Sequence, residues 1–433
     1  MRNEILTLII MVLVCIIGAL FSRRDRKWAP VILLVASVAG SLACGMGIRF
    51  REIVEGPFGL LDSALSVCSG AVLFYLFHEL GTLDVIFNHI CRIQSRLLKS
   101  FAVLFFLALP GMFSGSAAFS IMTSGVIVSR GMKEGGVNDS KIIGGIASGA
   151  FIGMIMPPNC IPAMIASNGA GSVLPTPFMG FYVPLLVLAL PAFVLIAFAF
   201  SKSFSMACCS LTDVKSIQTS IKVSRFNIVA LGVSLLFTIV DGLLSSFVYL
   251  GGNILAFSAM TVAVLVINCK AWTARQALIA VSDGLMGVVV PVALMMGLGS
   301  FIEVSSMSGI RGYFSLLILP FNPINVMLVL MGVSVVIGFL LGESIPAFLI
   351  AYAVFPIGWL ANPVIVTGVA SALAVVIPIS IRGGLIDFTS STLKINGVGY
   401  GSAIKQMWMA PSLVLAVGMA FVLFGDKLAF LVL

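Results

Sequence analysis

Residues 101–130 read FAVLFFLALPGMFSGSAAFSIMTSGVIVSR, and how this stretch meets a membrane decides the fold. The apolar run from Phe101 to Phe113 meets Ser114-Gly115-Ser116, and a second apolar run continues to Val128. A helix rises 1.5 Å per residue and needs roughly 20 apolar residues to cross a bilayer, so neither arm is expected to cross alone. The stretch therefore predicts a re-entrant hairpin with its tip inside the membrane. Charge agrees: Arg92, Arg96 and Lys99 precede it and Arg130 and Lys133 follow it. A hairpin leaves both groups on one side, whereas a single crossing splits them.

Working outward, apolar runs at 4–20, 28–48, 58–80, 180–201, 226–245, 253–269, 280–302 and 403–425 have the length of complete spans. With 60% hydrophobic and 9% charged residues and a mean hydropathy of +1.19, the chain has far fewer charges than a soluble domain, so its solvent is lipid. The net charge of +8 marks the cytoplasmic side rather than a nucleic-acid partner. Arg23, Arg24, Arg26 and Lys27 follow the first apolar run, the reverse of a signal peptide's order, so that run reads as a retained span with the N-terminus periplasmic. Asp84 to Lys99 places Ile86, Ile90, Ile93 and Leu97 on one helical face and predicts an arm lying in the interface; a solvated loop is the alternative.

The same alternation puts a cytoplasmic linker at 202–225, a second hairpin at 325–357 and the C-terminus in the periplasm. Of the 24 Lys and Arg, five then lie outside (Arg2, Arg49, Arg51, Arg311, Lys427), Arg382 lies within the membrane, and the other 18 are cytoplasmic. This is the pattern of a multi-pass protein of a bacterial inner membrane.

The two halves, 1–201 and 226–433, repeat one order. In the first, a span ends in Phe77-His78-Glu79-Leu80, the hairpin follows, and a helix over 140–170 is interrupted at Pro157-Pro158-Asn159. In the second, a span ends in Phe301-Ile302-Glu303-Val304, a hairpin turns at Gly342-Glu343-Ser344, and a helix over 363–392 is interrupted at Pro378. The fold class expected is thus all-α and polytopic, with inverted repeats each carrying a re-entrant helical hairpin and a broken helix, the arrangement that builds a midplane site between discontinuous helices.

Proline lacks an N–H and clashes with the preceding turn, so each break frees backbone carbonyls at membrane depth, where only protein or a water-filled cavity satisfies them. Half-helix C-termini attract cations and N-termini attract anions; a plain proline kink is the other reading. Ser114, Ser116, Ser120, Thr123 and Ser124 bring hydroxyls to the first tip, suited to an ion or to close helix packing. Glu343 is a carboxylate among apolar residues, a costly placement that points to a cation site or a structural ion pair. Arg382 suits a bidentate carboxylate contact; snorkelling or pairing with Asp387 are its alternatives. The eight cysteines form no C-x-x-C and have no histidine set beside them, so neither zinc nor a disulfide framework is signalled and no cofactor is expected. No G-x-x-x-x-G-K-[ST] occurs, so the chain carries no nucleotide-driven motor, and it reads as a carrier rather than an enzyme.

At these residues the sequence resembles the large membrane subunit of tripartite ATP-independent periplasmic (TRAP) transporters, a branch of the ion transporter superfamily. The resemblance is clearest from Phe77 to Gly180: FHELGTLDVIFNHI looks like the family's span end and interfacial arm, PGMFSGSAAFSIMTSG like its hairpin tip, and GMKEGGVNDSKIIGGIASGAFIGMIMPPN like its basic turn and double-proline break. GESIPAFLIAYAVFPI at 342–357 is similar to the acidic second tip. The resemblance implies a sodium-coupled elevator with two partners, a small four-span membrane subunit and a periplasmic substrate-binding protein. It also implies sodium around Ser114, Gly115, Ser116, Gly342, Glu343, Ser344 and the carbonyls near Pro157 and Pro378, with an anionic organic acid facing Thr123, Asn159, Ser380 and Arg382. The chain departs from the family at Ile377-Pro378-Ile379-Ser380-Ile381-Arg382, where a double proline followed by glycine is expected. Two other readings stand beside it: a stand-alone ion-coupled anion or citrate-type carrier or efflux permease of the same superfamily, and a membrane scaffold subunit without transport.

Overall fold

The computed structural model describes residues 2–21, 28–45, 47–168, 178–206, 225–244, 252–269, 272–318, 320–341, 362–380, 384–395 and 397–432. Among them every regular element is helical, and six helices are long and apolar enough to cross a membrane, or seven if one bent pair is a single span. The protein is an all-α, multi-pass membrane protein.

The first half runs α1 (Arg2–Phe21), α2 (Ala29–Ala43), α3 (Phe50–Phe58), α4 (Leu61–Glu79), α5 (Thr82–Cys91), α6 (Arg96–Ser114), α7 (Ala117–Ser120), a π-helical turn (Ile121–Gly125), α8 (Val126–Glu134), α9 (Asp139–Ile155), α10 (Ile161–Asn168), α11 (Tyr182–Ala199) and α12 (Ser201–Met206). The second runs α13 (Arg225–Leu244), α14 (Gly252–Ile267), α15 (Ala274–Met286), α16 (Val289–Met307), α17 (Ile310–Ile318), α18 (Pro323–Leu341), α19 (Pro363–Ile379), α20 (Leu385–Thr392), α21 (Tyr400–Met407) and α22 (Met409–Phe424).

Four expectations about the elements need correction. The interfacial arm over 84–99 is two helices: α5 ends at Cys91, and Ser95, whose hydroxyl accepts the Leu98 N–H at 3.5 Å, caps the start of α6. Because α6 starts at Arg96, the first hairpin arm has 19 residues, about 28 Å of helix, enough by length alone to cross a bilayer core. What makes it a hairpin is the reversal at its end. The expected spans at 280–302 and 403–425 are also divided, the first at Gly287-Val288 between α15 and α16 and the second at Trp408 between α21 and α22, which are bent by 49°.

The halves pack reciprocally. α2 and α3 lie on α16, as α14 and α15 lie on α4; α6 lies on α9, as α18 lies on α19; α10 lies on α19, as α20 lies on α9. Such exchange of equivalent contacts is what a pseudo-two-fold relation between two repeats produces. It sorts the helices into two groups: α1–α4 with α13–α16, and the first hairpin and both broken helices with α11 and α22. In the first group α3 crosses α16 backbone to backbone at Gly56 and Gly299, where a Cβ on either glycine would strike the other helix, and Ser300 Oγ donates to Ile53 O at 2.6 Å.

Candidate functional site

The first hairpin closes as its residues dictate. Gly115 ends α6 with φ +62°, a left-handed conformation that glycine adopts without strain. Ser114 Oγ donates to Pro110 O at 2.6 Å and accepts the Ser116 N–H at 3.3 Å, while Ser116 Oγ accepts the Phe119 N–H at 3.4 Å and caps the returning arm. Residues 117–134 then run back along α6, where Ser124 Oγ donates to Leu107 O at 3.4 Å. Both ends of the hairpin meet the same region: Ser100 Oγ donates to Ala197 O at 2.5 Å, and Gly135 abuts the Met206 carbonyl.

The returning arm carries the π-helical turn Ile121–Gly125, a local widening frequent at functional sites. Thr123 Oγ1 donates to Phe119 O at 2.8 Å within it. Ser120, fully buried just before the turn, has an Oγ with no hydrogen-bond partner among the described residues.

The first break lies against this tip. α9, capped by Asn138 Oδ1 on the Ser140 N–H at 2.9 Å, ends at Ile155, and α10 starts at Ile161. Pro157 and Pro158 have no N–H, and the Asn159 N–H turns to Met112 O at 3.1 Å, so the carbonyls of Met154 and Ile155 lose the donors an unbroken helix supplies. Asn159 is fully buried. Its Nδ2 donates to Phe113 O at 2.5 Å and to Ser66 O at 3.2 Å, and its Oδ1 accepts from Ser66 Oγ at 2.7 Å and Asn253 Nδ2 at 3.5 Å. Asn253 Nδ2 also reaches Pro158 O at 3.3 Å and pairs with the Tyr182 hydroxyl at 2.8 Å.

Of the residues read from the sequence, Ser114, Gly115, Ser116, Pro157 and Asn159 thus come together where the tip meets the break, with Thr123 further along the returning arm. In the second half, Pro378 lies in the last turn of α19, Ser380 is buried just beyond it, and Ile379 O accepts the Tyr400 hydroxyl at 2.7 Å. Gly342, Glu343, Ser344 and Arg382 lie outside the described residues, as does the second hairpin beyond α18. Asp387, the alternative partner considered for Arg382, is exposed on α20.

Sequence reading missed Ser66, Tyr182, Asn253 and Tyr400. A polar side chain in an apolar helix demands a partner, and that was their only signal; which partner depends on helices far apart in the chain. The donors gathered at the first site are neutral oxygens, and no group of three or more His, Cys, Asp or Glu that could hold a metal occurs among the described residues. Hydroxyl and carbonyl oxygens suit a hard cation such as sodium rather than a thiophilic metal.

No family model matches the chain, and no curated protein matches it. Among solved structures the chain is similar to the Alcanivorax borkumensis YdaH transporter, with a TM-score of 0.60 and 13% sequence identity over 93% of this chain and 98% of that one. The two share an overall fold, which their sequences barely record.

Proposed function

We propose that this chain is the membrane permease subunit of a sodium-coupled secondary transporter of the TRAP type, importing an organic acid handed over by a periplasmic binding protein and working beside a small four-span subunit. The observation that carries the reading is the meeting of a Gly115-turned tip with a proline-broken helix, which gathers buried hydroxyls and freed carbonyls away from lipid. A likeness in fold to a transporter supports the transport class.

In this reading the repeats are residues 1–201 and 226–433, joined by 202–225 on the cytoplasmic side, with both termini periplasmic. Sodium takes the oxygens of Ser114 and Ser116 and the carbonyls near Pro157, while Glu343, flanked by Gly342 and Ser344, and the carbonyls near Pro378 serve the second site. Thr123, Ser380 and Arg382 face the anion, and Asn159 joins the tip to the break beside it. The group holding the hairpins and broken helices moves against the group built on α4 and α16.

The test is uptake of candidate carboxylates into proteoliposomes under an imposed sodium gradient. Sodium-dependent uptake only with binding protein and small subunit present supports the proposal. Uptake by this chain alone favours a stand-alone carrier, and no uptake in any combination favours a scaffold subunit. Glu343→Gln is expected to raise the sodium concentration for half-maximal uptake at least about tenfold, the effect of losing roughly 1.4 kcal/mol of charge attraction, with unchanged membrane insertion. An unaltered sodium curve removes Glu343 from the ion site.

A further inference from the structure

Asn159 belongs to the first broken helix, whereas Ser66 sits on α4 and Asn253 at the start of α14, two helices that pack on each other in the opposite group. The bonds from Ser66 Oγ to Asn159 Oδ1 (2.7 Å), from Asn159 Nδ2 to Ser66 O (3.2 Å) and from Asn253 Nδ2 to Asn159 Oδ1 (3.5 Å) and Pro158 O (3.3 Å) therefore run between the groups. An apolar contact reinforces them. The Phe113 ring at the hairpin tip lies between Phe74 of α4 and Phe257 of α14, at centroid distances of 5.5 and 5.1 Å. Ser66, Asn159 and Asn253 are all buried.

We infer that Ser66 and Asn253 are positioning residues that form a latch, holding the hairpin tip and the first break against α4 and α14. The inference rests on the carrier reading, since a latch has a purpose only if the groups part. Asn159 Nδ2 also donates to Phe113 O, and the Asn253 amide exchanges bonds with the Tyr182 hydroxyl, so these polar groups are engaged on several sides in apolar surroundings and hold firmly while joined. On parting, each polar group must be taken up by water. Release of the latch is thus also the wetting of the first break.

Cys160, a free thiol next to Asn159 and only 1% exposed, reports on that wetting. The full-length protein in proteoliposomes is treated with a small membrane-permeant maleimide, and modification of each cysteine is followed by peptide mass spectrometry. Ser66→Ala combined with Asn253→Leu removes three of the bonds between the groups and is expected to speed Cys160 modification at least about tenfold, the factor matching a single lost buried hydrogen bond. Ser66→Thr, which keeps the hydroxyl, is expected to react at the native rate. Cys15, buried on α1, is the internal control for general loosening.

Unchanged Cys160 modification in the double variant overturns the latch, and so does a parallel rise at Cys15. If the double variant does not insert, Ser66→Ala alone decides by the same readings. Labelling needs neither sodium nor substrate, so its failure is separate from a failure of the uptake assay.

Discussion

The two proline breaks face one requirement and meet it differently. At the first, the Asn159 main-chain and side-chain N–H groups take Met112 O, Phe113 O and Ser66 O, so the interruption is tied to the hairpin tip and to α4 from a fully buried position. At the second, the Ile379 carbonyl is held by the hydroxyl of Tyr400, a half-buried residue at the start of α21. A carbonyl freed inside a membrane protein needs a donor, but the donor's origin decides what the break is coupled to. The first break is bound to a hairpin tip, and the second is tethered toward the C-terminal helices.

The strongest way to break this contrast is Asn159→Ala. It strips donors from Phe113 O and Ser66 O in a buried site, and a loss of roughly 2–5 kcal/mol is expected, read as a large fall in the melting temperature of the detergent-solubilised protein. A small fall shows that the break is held by packing alone. Gly115→Ala comes next. It forces a Cβ onto φ +62° and against the Ile161 side chain, 2.8 Å away, and about 1–2 kcal/mol of strain is expected, measured by the same melting. A neutral outcome indicates a tip that relaxes out of the left-handed turn. Tyr400→Phe has the smallest expected effect, about 1 kcal/mol, because water reaches a half-buried site. Faster hydrogen exchange confined to α19 and α21 checks it, and exchange spreading to α9 shows that the two breaks are coupled.

How much of this was legible in the sequence depends on the range of the signal. Gly115 and Pro157-Pro158 act on their own backbone within one or two residues, so the turn and the interruption could be read locally and the helices stop where those residues stand. The division of 84–99 was legible too, since Ser95 is a cap in the right place, but the apolar periodicity through Leu97 masked it. The break at Gly287-Val288 had a local signal as well, since Pro291 lacks the N–H that a continuous helix would give to Gly287 O, but the length of the apolar run masked it. Asn253 stands at the first position of the apolar run 253–269, and only the packing of α14 on α4 turns its amide toward Pro158. Partners of that kind are set by tertiary arrangement, which a linear pattern does not encode.

The crossing of α3 over α16 at Gly56 and Gly299 has a mechanical meaning. With main chain touching main chain, no side chain is left there to change rotamer and take up play, and close-packed interiors shift between discrete arrangements rather than stretch. At that crossing α3 and α16 are joined without slack.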